Sequence, residues 1–339
     1  MPSPPRPSDK RRRAPAATDQ PAHGGAGALD GLRLSTRAIR SGLRRYPPEL
    51  LGSFLRRGVL ASAGSARPPA EVRDLLSELA PHGMALIWLG HASVMATLGP
   101  ITIVVDPVLS ERIGPRILGR TWGLSRRAPA PVAPASLAGA DLLLLTHAHF
   151  DHLDRPTLEG LASDRTTVIA PIRCAPLVPH GFARVIELAP GASYEHGGAT
   201  IHALEAAHWG ARLVLDRGRG TLAYAVKHAE GSILFAGDTA FTTSFARAHD
   251  LIGPIDVAAF GIGAYDPWEH MHATPEQVWR MFTSIGARFL LPIHHSTFEL
   301  SDEPLDEPVR RLLAVAGDDG TRVMASSPGE ILVMTKPAG

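Results

Sequence analysis

Thr146-His147-Ala148-His149-Phe150-Asp151-His152-Leu153-Asp154 follows directly on Ala140-Asp141-Leu142-Leu143-Leu144-Leu145. The latter is a continuous apolar run of the kind a strand buried on both faces produces. Its exit is crowded with metal-ligand side chains: His147, His149, Asp151 and His152. Three imidazoles and a carboxylate suit a borderline cation, zinc first, with manganese, iron or cobalt behind it. His147 and His149 are two apart, so on extended chain they point the same way. Asp151 and His152 lie where the chain must turn and aim at a second point. The pattern predicts half of a two-metal site, with the other half downstream.

The chain around this stretch has 339 residues, 45% hydrophobic and 20% charged, which allows a substantial core in one large domain or two ordinary ones. No apolar run reaches the roughly eighteen residues of a membrane span, and the N-terminus lacks the apolar core of a secretory signal. Cys174 is the only cysteine, so an intrachain disulfide is excluded and a reducing, cytoplasmic setting is expected. The net charge of +1 hides an asymmetry: residues 1–60 hold twelve Lys+Arg against four Asp+Glu, a net of +8, leaving −7 for the rest. Such an arm points to an anionic partner, membrane or nucleic acid, or to a solvated tail. The acidic body has no basic, aromatic-interleaved patch, which argues against nucleic acid.

Residues 1–28 are rich in Pro, Ala, Gly and Arg and read as a disordered tail. Residues 29–82 read as a basic helical extension and linker. Ile39, Leu43 and Tyr46, then Leu50, Leu51, Phe54 and Leu55, mark two amphipathic helices between Leu32 and Leu60. Their apolar face either docks on the body or meets an anionic membrane, and an Arg-rich leader is a further reading. Val72 to Leu79 adds a helix after a small-residue linker.

The body, residues 83–336, is strand-rich. Met84–Leu98 and Ile101–Val105 read as a hairpin through Gly99-Pro100, and Gly114–Leu137 as loop. Further strands are expected at Thr167–Ala170, Val185–Leu188, Ala199–Ala206, Thr221–His228, Ser232–Gly237, Val257–Gly261, Arg288–Pro292, Arg322–Ala325 and Ile331–Thr335. Helices are expected from Arg155 to Leu161 and at Thr243–His249, Pro275–Ile285 and Pro304–Ala316. Asp154 is placed to cap the first, and Thr274 to cap the third ahead of Pro275 and Glu276. Many strands with interspersed helices predict two packed sheets covered by helices.

Three more apolar runs end in a ligand-type residue: Ala199–Ala207 in His208, Ser232–Gly237 in Asp238, and Arg288–Ile293 in His294. A lone histidine after a strand is usually a hydrogen-bonded structural residue. Three such ends beside the dense cluster reverse that expectation. His147, His149 and His208 are assigned to one metal. Asp151, His152 and His294 are assigned to the other, with Asp238 shared. A hydroxide held between two such cations is a strong nucleophile at neutral pH.

The nine-residue stretch matches the His-x-His-x-Asp-His signature, so the chain resembles the metallo-β-lactamase-fold hydrolases. The resemblance implies an α/β fold, a four-layer αββα sandwich of two mixed sheets with a dimetal site at one edge. Trp88-Leu89-Gly90-His91-Ala92-Ser93, Val105-Asp106-Pro107, Ala207-His208-Trp209, Gly237-Asp238-Thr239, Gly263-Ala264-Tyr265, His272 with Pro275-Glu276, and Pro292-Ile293-His294 narrow it. Together they resemble the branch of N-acylphosphatidylethanolamine-hydrolysing phospholipase D and its bacterial relatives. That implies two divalent cations, most readily Zn2+, with Mn2+ or Fe2+ as alternatives, and a phosphodiester substrate, a phospholipid or a smaller molecule. Similar layouts open lactones or cut RNA. A redox di-iron reading would need more carboxylates or a flavin domain, and a metal-binding protein without activity does not need so complete a set. His295-Ser296 stands where the branch has Trp-Gly, and the segment from Tyr265 to His272 is short and carries His270.

The same resemblance places His91 and His272 near the metals. With Asp151 they make up the expected catalytic set, orienting substrate or protonating a leaving alkoxide, against a purely structural role. Asp106 is expected to orient a ligand histidine and Asp154 to support one. Tyr265, Trp268, His270 and His295 are expected around the substrate pocket. Arg126 and Arg127 read as loop residues that meet an anionic substrate or only solvent.

Overall fold

Apolar runs without alternation make sense only if both faces of a strand are covered, and period two then sorts the residues. In the first strand Met84, Leu86 and Trp88 enter one core cluster, and Ala85, Ile87 and Leu89 another. The strand before the metal stretch divides likewise, Leu142 and Leu144 from Leu143 and Leu145. Ile233 and Phe235 separate from Leu234 and Ala236, and Val257 and Ala259 from Ala258 and Phe260. The shared cluster lies between two sheets, and the other two lie under the outer covers.

This arrangement is seen in a computed structural model, which describes residues 83–212, 216, 218–324 and 327–334. The expected tail, basic helices and linker of residues 1–82 lie outside the described residues. The elements are β1 (Met84–Gly90), β2 (Ser93–Leu98), β3 (Ile101–Val105), β4 (Arg112–Ile113), β5 (Arg116–Ile117), β6 (Arg120–Thr121), β7 (Leu124–Ser125) and β8 (Leu142–Leu144). Then come α1 (Arg155–Leu161), β9 (Thr167–Pro171), β10 (Arg184–Leu188), β11 (Ser193–His196), β12 (Ala199–Leu204), β13 (Ala223–His228) and β14 (Gly231–Phe235). The chain continues with α2 (Ala246–Ile252), β15 (Val257–Gly261), α3 (Pro275–Ser284), β16 (Phe289–Ile293), α4 (Glu307–Ala316) and β17 (Ile331–Met334).

One sheet has the order β10-β9-β8-β3-β2-β1-β17 and the other β11-β12-β13-β14-β15-β16. Both are mixed. β3, β8, β9 and β10 run parallel, as do β14, β15 and β16, while the remaining neighbours are antiparallel. The helices α2, α3 and α4 cover the second sheet, and α1 with the 130–140 segment covers the first. The expected αββα sandwich is present.

Several boundaries differ from the expectation. Met84–Leu98 is two strands, broken at His91, where the β1–β2 register shifts and the backbone turns left-handed at φ 52°. The 114–137 loop contains β5, β6 and β7. β11 has no apolar run to mark it, because Ser-Tyr-Glu-His lies on a partly exposed edge. Where a strand was expected from Arg322, Val323 makes a single bridge to Leu290. The helix expected at Thr243 begins at Ala246, because the Thr242 hydroxyl accepts from Ser244 N and holds a turn there. The helix expected at Pro304 begins at Glu307. Thr274 caps α3 in a reciprocal capping box with Gln277.

Candidate metal centre

Strand exits from both sheets meet at one edge. β8 leads through Thr146 into His147–Asp154, β12 leads to His208, β14 to Asp238 and β16 to His294, while β1 and β3 end at His91 and Asp106. His91, Asp106 and His294 carry φ of 52°, 41° and 62°, so each chain reverses sharply as it leaves its strand. Left-handed backbone costs such residues about 1–2 kcal/mol each. The reversals are pinned. His91 N donates to Thr297 Oγ1 at 2.7 Å, and His294 N donates to His91 O at 2.8 Å. Gly237 (φ 60°) lets the sheets approach, since a Cβ there would stand 2.9 Å from Thr146 Cγ2.

Hydrogen bonds fix which nitrogen each ring offers. Asp106 accepts from Thr146 N at 2.7 Å, from Thr146 Oγ1 at 2.5 Å and from His152 Nδ1 at 2.8 Å, leaving His152 Nε2 to face inward. His208 Nδ1 donates to Met271 O at 3.0 Å, which again turns Nε2 inward. Asp238 Oδ2 is the hub. It lies 3.2 Å from His152 Nε2 and His294 Nε2, and 3.8 Å from His147 Nε2, His208 Nε2 and His272 Nδ1. Asp151 Oδ2 lies 3.0 Å from His91 Nε2 and 3.4 Å from His294 Nε2.

Three donor groups result, each with its ligand atoms within 4.8 Å of one another: His147, His149, His208 and Asp238; His91, Asp151, His152 and His294; and Asp238, His272 and His294. The site fits metal. His149 Nε2, His294 Nδ1 and Asp238 Oδ1 are buried without a hydrogen-bond partner. Each such atom costs about 1–3 kcal/mol unless something satisfies it, and a cation would.

The protonation states suit the same role. Burial holds His149 down at about 3 and lowers His147 and His208, with neighbouring imidazoles adding to it, so these rings are neutral and able to ligate. Burial lowers His91 to about 3 and His272 well below its usual value. Burial would lower His294 too, but Asp238 and Asp151 outweigh it and hold the ring at about 9. His152 is raised in the same way by Asp238, Asp151 and Asp106. Burial opposes charge on Asp151 and Asp238, yet the surrounding imidazoles keep both well below the carboxylate range.

All seven residues expected as ligands are therefore brought together, and His91 and His272 lie beside them. The supporting residues divide. Asp154 stands at the N-cap position just before α1, but its side chain does not cap the helix. Its carboxylate instead accepts from Thr157 Oγ1 at 2.5 Å and Ser110 N at 3.3 Å. Tyr265 is buried and its hydroxyl donates to Glu307 Oε1 at 2.9 Å, beneath the Arg311 guanidinium. Trp268 acts through its backbone, where its carbonyl accepts from Met271 N and His272 N at 2.8 and 2.9 Å. His270 is exposed, and its ring centroid is 6.1 Å from that of Trp268. His295 stacks on Trp88 at 4.7 Å and burial lowers it to about 4. Arg126 is no solvated loop residue, since it donates to Leu89 O and Val108 O at 2.7 Å each. Arg127 pairs with Glu299.

Other contacts around the centre are made only by the fold. Arg212 donates to Ala148 O at 3.0 Å and Leu153 O at 2.7 Å, bracing both ends of the ligand loop, and lies over Phe150. Trp209 sets its ring edge against His149, with centroids 5.0 Å apart. The oxygen that anchors His91 belongs to Thr297, more than two hundred residues away along the chain, so only the fold joins them.

A family model described as "Beta-lactamase superfamily domain" matches residues 102–295, more than half of the chain. The chain belongs to the metallo-β-lactamase superfamily. Within it, an uncharacterized protein of Mycobacterium tuberculosis is 31% identical over 290 residues, covering 82% of this chain and 77% of its own. N-acyl-phosphatidylethanolamine-hydrolyzing phospholipase D 1 of Caenorhabditis elegans is 29% identical over 235 residues, 64% of this chain and 65% of that one. The crystal structure of isothiocyanate hydrolase from Delia radicum gut bacteria shares the fold, with a TM-score of 0.61 at 18% identity over 75% of this chain and all of that one. Superfamily membership and the His/Asp centre make this chain a metal-dependent hydrolase. Among the described residues no helix is long and apolar enough to cross a membrane.

Proposed function

We propose that this superfamily member is a two-metal phosphodiesterase of the N-acylphosphatidylethanolamine phospholipase D type, with zinc as its metal. One observation carries the two-metal reading: Asp238 Oδ2 stands between two donor groups, within 3.8 Å of imidazoles from each. A carboxylate placed so can serve two cations at once. His147, His149 and His208 would hold one and Asp151, His152 and His294 the other. When bound, the cations supply Lewis acidity and an activated water. The phosphodiester reading rests on the similarity to the Caenorhabditis elegans phospholipase D, together with the motif from His91 through His294.

The chain's own residues complete the centre. Asp106 fixes the His152 ring and the Met271 carbonyl fixes His208, so the donors are set before substrate arrives. His272 is among the more open donors, with 15% of its side chain exposed, and Asp151 has 13%. In this reading the His272 ring would donate a hydrogen bond to an entering phosphate or a departing alkoxide, a role its partial exposure supports.

The test is metal analysis of the purified chain and turnover on a panel of N-acylphosphatidylethanolamine, simple phosphodiesters and lactones. Two metals per chain and phosphodiester turnover are expected, with Asp238→Asn losing roughly a thousandfold of kcat/KM. Lactone turnover without phosphodiester turnover would sink the reading.

A further inference from the structure

The segment after the β3 exit carries an exposed hairpin that the metal chemistry does not use. β5 and β6 pair Arg116 with Thr121 and Ile117 with Arg120, joined by Leu118 (φ 50°) and Gly119 (φ 78°). Such two-residue turns favour Asn or Gly at both positions. A leucine there costs about 1 kcal/mol of backbone strain, and this one is also 99% exposed. Ile117 and Trp122 beside it are 54% and 57% exposed. Three of the nine large hydrophobics exposed among the described residues thus fall within six positions.

The stem is closely packed and rooted at the metal site. Gly114 and Gly123 cross so closely that a Cβ on either would stand 2.0 Å from the carbonyl oxygen of Trp122 or Ile113. Ile113 and Leu124 are buried with Val108, Phe298 and Phe150. Phe150 sits between His149 and Asp151, and the Phe298 ring meets His91 edge-on at 5.2 Å.

We propose that the Ile113–Leu124 hairpin is an interfacial docking element that seats the mouth of the metal site on an anionic lipid surface. The hairpin itself carries Arg116 and Arg120 and no carboxylate, with Arg116 also meeting Glu159 at 3.3 Å, while beyond it Arg126 turns inward and Arg127 pairs with Glu299. That charge repels the two nearest alternative occupants. The N-terminal arm, residues 1–60, is itself +8, and a second copy would set the same arginines face to face. An apolar tip flanked by Arg116 and Arg120, with a tryptophan at its base, matches an anionic headgroup layer over acyl chains. This inference does not depend on the reaction assigned to the metals.

The test uses the full chain and vesicles of phosphatidylcholine with or without a third of phosphatidylglycerol, some carrying brominated acyl chains. Trp122 is the reporter, and residues 1–60 contain no tryptophan. Brominated anionic vesicles should quench wild-type fluorescence, and most of that quenching should vanish in Trp122→Phe. Leu118→Asp should weaken vesicle binding about tenfold. Turnover of a water-soluble phosphodiester should be unchanged in both variants, which separates this inference from the assigned reaction. Equal binding by wild type and Leu118→Asp with no Trp122-dependent quenching would overturn the proposal. So would a concentration-dependent dimer that Leu118→Asp dissolves without any vesicle binding.

Discussion

His294 and His152 differ from the other ligand histidines in carrying protons when the centre holds no metal, because Asp238 and its neighbours outweigh burial there. A metal must expel those protons, whereas His147, His149 and His208 have none to lose at neutral pH. Binding at pH 7 is therefore expected to release about two protons, and affinity should rise with pH until it passes about 9, where His294 ceases to contribute. Calorimetry in buffers of different ionisation heat measures the release, and a value near zero would contradict this protonation pattern. Arg212 makes a second prediction. Burial brings its guanidinium down to about 10, so it is still charged at neutral pH while it holds the Ala148 and Leu153 carbonyls. Arg212→Met keeps the apolar stem but frees both carbonyls, and should weaken metal affinity about 10- to 100-fold. Competition with a chromophoric chelator reads this directly, and an unchanged affinity would show that the loop needs no brace.

Strands explain why ligands far apart in sequence converge, since each apolar run ends on the same edge and hands its next residue to the centre. This was legible in the sequence, because a buried strand announces itself by an unbroken apolar run and a ligand at its exit stands out. The shape of each exit was less legible. The left-handed turn at His91 splits one apolar segment into β1 and β2, and it depends on Thr297 from the far end of the domain. The capping of α3 by Thr274 was readable because it is local, whereas Asp154 accepts from Ser110 and Thr157 through contacts the fold creates. Gly237 tests the strand-exit argument. Gly237→Ala adds a Cβ 2.9 Å from Thr146 at a left-handed φ of 60°, so β14 and β8 must separate. Gly286→Ala supplies the control, with φ 65° and nothing within 4 Å. Both variants should lose about 1 kcal/mol from backbone strain alone. Only Gly237→Ala should also lose bound metal, as measured by metal content after dialysis. Equal metal content in the two would separate the centre from sheet spacing.

The two sheets share an apolar interior from Met84 to Ile293, and the metal centre is the polar closure of that interior at one edge. The layered architecture was legible because a few helices are interspersed among many doubly buried strands along the body. The arginine braces and the β5–β6 hairpin were not, because polar residues in connecting segments carry no periodic signal. The first sheet supplies His147, His149, Asp151 and His152, and the second supplies His208, Asp238 and His294. Any cation held by both sets ties the sheets together and, because unfolding scatters the ligands, it must stabilise the whole sandwich. At free metal a thousandfold above its dissociation constant the gain is about 4 kcal/mol, which for a domain of this size shifts Tm by about 10 °C. Chelation should therefore lower the thermal midpoint by that order, and re-addition of zinc should restore it. In Asp238→Asn the same treatment should move Tm far less, because the hub shared by both donor groups is gone. A wild-type midpoint indifferent to chelator, in a protein shown to have released its metal, would mean that the sheets hold the edge together unaided.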